Sequence, residues 1–220
     1  MIKIRDADPK AIMVGDAPAK AIYRGDRLVW ISDNLPVGYT RCKYLRSDGA
    51  QLIDIGQYAD FESRAVVTAT RDSAANNCGW AFGYRGKDNG PNFTASVSVG
   101  ANSGSSARFS NKSNDNKNPE VTIGQFVTLD LSKNGFFIDG VFMKAFYDAD
   151  YFTTPSTIRL FGNAMYKLIG KISMFKLFNG ERLLVYFVPA LDSDGRPCMF
   201  DIVSKSPFYN IGTGEFTYEI

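Results

Sequence analysis

The sequence predicts an all-β protein, an antiparallel two-sheet sandwich preceded by a small N-terminal β-hairpin region. Three observations carry this. Apolar and polar residues alternate with period two in run after run, and Gly, Asn and Asp pairs punctuate the runs. No window carries an apolar stripe at helical spacing. The composition agrees: 17 Phe and 11 Tyr suit a pleated, half-buried surface, and 20 Gly suit frequent tight turns. Apolar residues at 45% and charged residues at 22% are ordinary for a globular chain.

Taken in order, the chain begins with a repeat. Lys10-Ala11-Ile12-Met13-Val14-Gly15-Asp16 is echoed by Lys20-Ala21-Ile22-Tyr23-Arg24-Gly25-Asp26, each an apolar run ending in a Gly-Asp turn signal. Arg27–Ile31 closes the second hairpin. Ser32–Pro36 reads as a linker, which divides the chain into a hairpin region over 1–33 and a sandwich over 34–220, its body running from about Leu35.

Within the sandwich, Arg64–Thr70 alternates, and Phe93, Ala95, Val97 and Val99 interleave with Thr94, Ser96 and Ser98 as a strand with one wet face. Further strands are predicted at Gln51–Ile55, Gly79–Tyr84, Phe126–Leu131, Phe136–Ile138, Ile158–Phe161, Ile172–Phe178 and Leu183–Phe187. Turns are expected at Asn134-Gly135, Asp139-Gly140 and Asn179-Gly180. Ala101–Asn118 is Asn/Ser-rich and reads as a long exposed loop around one short strand near Arg108-Phe109.

The net charge of +2 does not advertise nucleic acid or an anionic membrane as a partner. No segment approaches the ~20 apolar residues of a membrane span, and no signal peptide is visible, so a soluble protein made in its producer's cytoplasm is expected. Cys42, Cys78 and Cys198 are far apart and read as free buried thiols.

No catalytic machinery is expected. The chain has no His, which removes Ser-His-Asp and Cys-His arrangements and the commonest metal ligand. Glu62, Glu120, Glu181, Glu215 and Glu219 form no paired carboxylates of the kind glycosidases use. Asp148 and Asp150, flanked by Tyr147 and Tyr151, would suit a Ca²⁺ site or a sugar contact. A solvated loop into Thr153-Thr154-Pro155 is the preferred reading, because Ca²⁺ takes six or more oxygens. No cofactor is otherwise expected. Asp192, Asp194 and Gly195 read as a turn.

Candidate ligand contacts are Trp80, Tyr84 and Arg85 at one strand end, Asn76-Asn77, Asn114-Asp115-Asn116, and Tyr147. Rings against a pyranose face with amides at its hydroxyls are how proteins hold sugars. Trp80 alternates with Phe82, which favours a core position for it over a ligand role.

Several segments resemble the laminin-G-like, concanavalin A-type jelly-roll domains widespread in bacteriophages and prophages. Leu35-Pro36-Val37-Gly38-Tyr39-Thr40, then Lys43-Tyr44-Leu45 and Ser47–Gly56, are similar to an "LPxGYT…YIxSxGxQYIDTG" opening. Phe126–Leu131 through Asn134–Gly140 resembles paired strands ending in "YVDG". Gly170–Phe178, Phe187-Val188-Pro189-Ala190, Gly195, Phe200-Asp201 and Phe208–Gly214 resemble the close. Ile22–Trp30 is similar to the "IYxGDxxVW" segments that open many phage structural proteins; the first repeat departs, with Met13 for the aromatic and Pro18 in the connecting run.

The resemblance implies a virion protein that displays a lectin-like domain on the capsid or tail and adsorbs to host surface glycans. A capsid decoration or cement protein that binds no sugar is the alternative, and a bacterial carbohydrate-binding module or adhesin is a third. Other virion proteins, host glycans and copies of itself are the expected partners, with no nucleic acid and no membrane insertion. The hairpin region, through Ile12, Val14, Ile22, Tyr23, Leu28 and Trp30, is the expected attachment or oligomerisation element, since isolated hairpins are marginal in water and open strand edges template pairing.

Overall fold

Alternation becomes strand pairing throughout, and no helix occurs among the described residues. The structure, a computed structural model, describes residues 34–75, 79–86, 90–97, 105–114, 121–162 and 166–220, and the backbone of 13–14, 17–18, 21–24 and 27–31. The chain forms two compact units, Met1–Asn34 and Leu35–Ile220.

The first unit holds two antiparallel hairpins. β1 (Met13–Val14) pairs with β2 (Ala17–Pro18), and β3 (Ala21–Arg24) pairs with β4 (Arg27–Ile31). Val14 faces Ala17 and Arg24 faces Arg27, so each Gly-Asp pair falls in a two-residue connection. Pro18 is tolerated because it lies in a two-residue strand with a single neighbour. Ile12 lies outside the described residues, and for Val14, Ile22, Tyr23, Leu28 and Trp30 only the strand assignment is described.

The second unit is a two-sheet antiparallel jelly-roll sandwich. Its strands are β5 (Thr40–Arg41), β6 (Tyr44–Asp48), β7 (Ile53–Asp54), β8 (Ser63–Ala69), β9 (Trp80–Arg85), β10 (Asn92–Ser96), β11 (Ser106–Phe109), β12 (Lys112–Asn114) and β13 (Val127–Ser132). They continue with β14 (Gly135–Ile138), β15 (Val141–Lys144), β16 (Arg159–Leu160), β17 (Ile169–Asn179), β18 (Arg182–Leu191), β19 (Pro197–Asp201), β20 (Ser206–Phe208) and β21 (Thr217–Glu219). The smaller sheet runs β12-β11-β10-β9-β16-β7, and the larger runs β15-β14-β13-β8-β17-β18-β19-β20.

The larger sheet forks. One side of β17 pairs with β18 over Phe175–Asn179 and with β6 over Ile169–Ile172. The chain from β5 to β6 wedges between the diverging strands, because β5 pairs with the far end of β18. β21 then pairs with the other edge of β6, and Lys43 donates its N–H to the Glu219 carbonyl at 2.7 Å.

The core is aromatic. Phe82 touches Phe93 at 5.7 Å and Phe175 across the sandwich at 5.6 Å, while Phe93 meets Phe109 edge-on at 5.9 Å. All four are fully buried, and burying each such ring contributes about 1.5–3 kcal/mol.

Three details depart from the sequence reading. The predicted long loop holds a hairpin, β11–β12, turning at Ser110-Asn111. Ser110 has φ +53°, a left-handed conformation that sequence cues assign to Gly or Asn, which hid the turn. The turns after β13 and β17 fall at Lys133-Asn134 and Gly180-Glu181, one residue off the expected pairs, whereas Asp139-Gly140 turns as expected with both φ positive. Third, β10 has no wet face. Asn92, Thr94 and Ser96 are as buried as Phe93 and Ala95.

Candidate functional site

Two hairpin turns and a long crossover meet at one end of the smaller sheet. Asn92 builds the junction: its Nδ2 donates to the carbonyls of Gly90 (2.7 Å) and Ser110 (3.0 Å), and its Oδ1 accepts from the Gly86 N–H (3.1 Å). A buried amide that is fully hydrogen-bonded in this way fixes both turns relative to each other. The third wall is Asp150–Thr153, in the crossover from β15 to β16. That crossover is tied down by the Phe61 N–H to Phe152 carbonyl bond (3.2 Å) and the Thr154 N–H to Ala59 carbonyl bond (2.7 Å).

Between these walls lies a cleft of about 240 Å³, lined by Gly90, Pro91, Ser110, Asn111, Asp150, Tyr151, Phe152 and Thr153. It is smaller than the ~300–1,000 Å³ of pockets that enclose drug-sized ligands, and suits one ring-sized group. Asn111 Nδ2 donates to Asp150 Oδ2 at 2.6 Å, and the Asp150 N–H returns a long bond of 3.4 Å to Asn111 Oδ1. Phe152 points inward and meets Phe109 edge-on at 5.1 Å. Tyr151 points out. One face of its ring stacks on Phe61 at 4.2 Å, yet the residue is 84% exposed, so the other face is open. Tyr147 is also exposed, and the carboxylate of Asp148 pairs with Lys112 at 3.1 Å, which holds its pKa below the usual value. Asp148 and Asp150 thus engage separate partners, and among the described residues no three His, Cys, Asp or Glu side chains cluster as metal ligands do.

Trp80, Tyr84 and Arg85 do not form one site. A register shift between Ala95 and Ser96 places Trp80 beside Ser96 and Phe82 beside Ala95. The bulge turns Trp80 away from the core, onto the outer face of the smaller sheet. There it lies 5.0 Å from Tyr166, 9% exposed, with Arg85 4.5 Å from the Tyr166 ring centre and 5.6 Å from its own. Tyr84 pairs with Phe93 on the opposite, inward side. Sequence alternation put Trp80 with Phe82 because an alternating pattern carries no trace of a bulge. Asn76, Asn77, Asp115 and Asn116 lie outside the described residues, and only the backbone of Asn114 is described. Asn111, the cleft's polar member, went unselected as a ligand, and Tyr151 was read only as a flank of Asp148 and Asp150; the signal was an aromatic beside an acidic residue, with an Asn one hairpin away.

A wider groove of about 470 Å³ crosses the outer face of the larger sheet. Its charges satisfy each other: Arg64 grips Asp130 through two bonds of 2.9 and 2.5 Å and covers Phe178 at 5.5 Å. The smaller cleft has the freer chemistry, since among the described residues no donor reaches Asp150 Oδ1.

The class of protein is set by this architecture: an all-β jelly-roll sandwich with a small polar-aromatic cleft at the rim. No protein-family model matches the chain, and no curated protein sequence matches it.

Proposed function

We propose that this is a bacteriophage virion structural protein whose sandwich, displayed on the capsid or tail, adsorbs to host-surface glycans through the rim cleft. The observation that carries it is the pairing of an open Tyr151 face with the Asn111–Asp150 carboxamide-carboxylate pair. A ring face and a fixed donor-acceptor pair beside it are what a pyranose needs, apolar C–H face on the ring and hydroxyls on the polar groups. The virion setting rests on the likeness of the N-terminal repeat and the sandwich motifs to phage structural proteins.

The test is adsorption of the purified protein to host cells and to an array of host-type glycans. Asp150→Ala should weaken binding about 10- to 100-fold, the worth of a hydrogen bond to a charged group. Tyr151→Ala should weaken it while leaving the melting temperature nearly unchanged. Equal binding by both variants would end the assignment to this cleft.

A second reading, a decoration protein that only stabilises the shell, is favoured by β15. This strand is an end of the larger sheet's main path, and its Val141 and Phe142 are 59% and 54% exposed. An open apolar edge of this kind suits contact with another chain. Absence of glycan binding at high concentration, with particles weakened on deletion, would select it.

A further inference from the structure

The outer face of the smaller sheet carries a second feature, remote in chemistry from the cleft. A cross-strand row runs Arg108, Thr94, Gly83, Arg159, each residue directly opposite the next. Arg85 stands two residues along β9 from Gly83, on the same face. Gly83 has no side chain, and a Cβ there would stand 2.5 Å from Thr94 Cβ and 2.4 Å from the Phe93 carbonyl oxygen. Arg85 reaches back along the strand to Trp80 and Tyr166, on which its guanidinium rests.

The three arginines are half-buried, and among the described residues none makes an ion pair or a side-chain hydrogen bond. The nearest carboxylate in the row, Asp54 opposite Arg159, accepts instead from the Thr157 hydroxyl (2.6 Å) and the Gly56 N–H (2.9 Å). Guanidinium groups carry five donors each, and half-buried ones without a carboxylate partner keep those donors free for an anion. Between them lies Thr94, fully buried, with a hydroxyl that has no hydrogen-bond partner among the described residues. Native structures rarely leave such groups unpaired without a use for them. Three guanidinium groups without an ion pair among the described residues thus line a single strip.

We propose that this strip is a second binding site, one that takes an extended acidic glycan with a carboxylate or phosphodiester on successive units. Arg108 and Arg159 are three strand spacings apart, about 14 Å at ~4.8 Å per strand. One small anion cannot touch both; a chain crossing the strands can. Arginine's planar fork matches either anion bidentately. Nucleic acid fits less well, because Trp80 is nearly covered and leaves no ring face on which a base could stack. The neighbouring outer-face hydroxyls, Ser96 and Ser106, 2.9 Å apart, suit a polyol. The site is independent of the rim cleft and does not rest on it.

The test measures binding of the full chain, by calorimetry at low salt, to polygalacturonate, to poly(glycerol phosphate), to neutral dextran and to oligo(dT). At least one of the two acidic polymers should bind, dextran should not, and the arm that binds identifies the anion. Arg85→Gln, Arg108→Gln and Arg159→Gln should each weaken binding about tenfold and flatten its salt dependence. Arg85→Lys, which keeps the charge and loses the fork, should fall between. Asp150→Ala should not weaken binding. The proposal fails if neither acidic polymer binds, if the folded triple arginine variant binds as well as the parent, if Asp150→Ala loses the acidic polymer, or if oligo(dT) binds as tightly as the acidic polymers.

Discussion

At the scale of single residues, Asp192 is a buried carboxylate in a turn, held by a dense set of donors. The Tyr209 hydroxyl donates to it at 2.7 Å, Arg196 adds Nε at 3.0 Å, and the backbone N–H groups of Arg196 and Asp194 each donate at 2.9 Å. Led by the Tyr209 bond, these hold its pKa at about 2 against burial. Burial first, and then the same bond, push Tyr209 up to about 12. The folded carboxyl ionises more readily than the unfolded one, so its stabilisation is complete above about pH 4 and fades as pH falls toward 2. The phenol is held neutral by folding, so its contribution is complete below about pH 10 and fades toward 12. Melting temperature should therefore be flat between and drop on both limbs. Asp192→Asn should lower the plateau, flatten the acid limb and bring the Tyr209 phenol down, read by ultraviolet titration. The sequence marked Asp192–Gly195 as a turn and nothing more, because Tyr209 reaches it from β20's far side, 17 residues on.

At the scale of elements, β9 shows what a strand pattern does and does not reveal. Its existence and span were legible, since Gly79–Tyr84 differs from the observed strand by one residue at each end. Its faces were not. The bulge opposite Ser96 reverses Trp80, and Gly83 is required by the approach of β10 rather than by a turn. Gly83→Ala should destabilise by ~3 kcal/mol, from overpacking against Thr94 together with a φ of +141° that L residues rarely adopt. Thermal or urea unfolding of the variant measures it. The β11–β12 hairpin was missed for the converse reason: a Ser held at positive φ by its neighbours looks, in sequence, like any loop Ser. The cleft was half legible in consequence. Asp150 and Tyr151 announced themselves as part of an acidic-aromatic cluster, whereas Asn111 acquires its place only through that turn.

At the scale of the whole molecule, the two units have unequal resources. The sandwich has a large aromatic core of its own, while two short hairpins cannot enclose one. A chain starting at Leu35 is expected to remain folded, with a melting temperature close to that of the parent. It is also expected to lose assembly into particles or oligomers, because the attachment element is proposed to reside in the hairpins. Sedimentation and particle incorporation check this. Normal assembly, or outright unfolding, would contradict it.

The forked sheet has a mechanical consequence. A tether attached upstream of Leu35 enters the sandwich along β5 and β6, and β6 is no free edge: β17 holds one side of it and β21 the other. Tension directed along that strand loads both rows of hydrogen bonds together instead of opening one bond at a time. Shear of this kind resists far larger forces than peeling. Pulling on single molecules between the N-terminus and a handle at Tyr147 should accordingly require a higher rupture force than pulling between the two chain ends, where β21 can be peeled from β6 first.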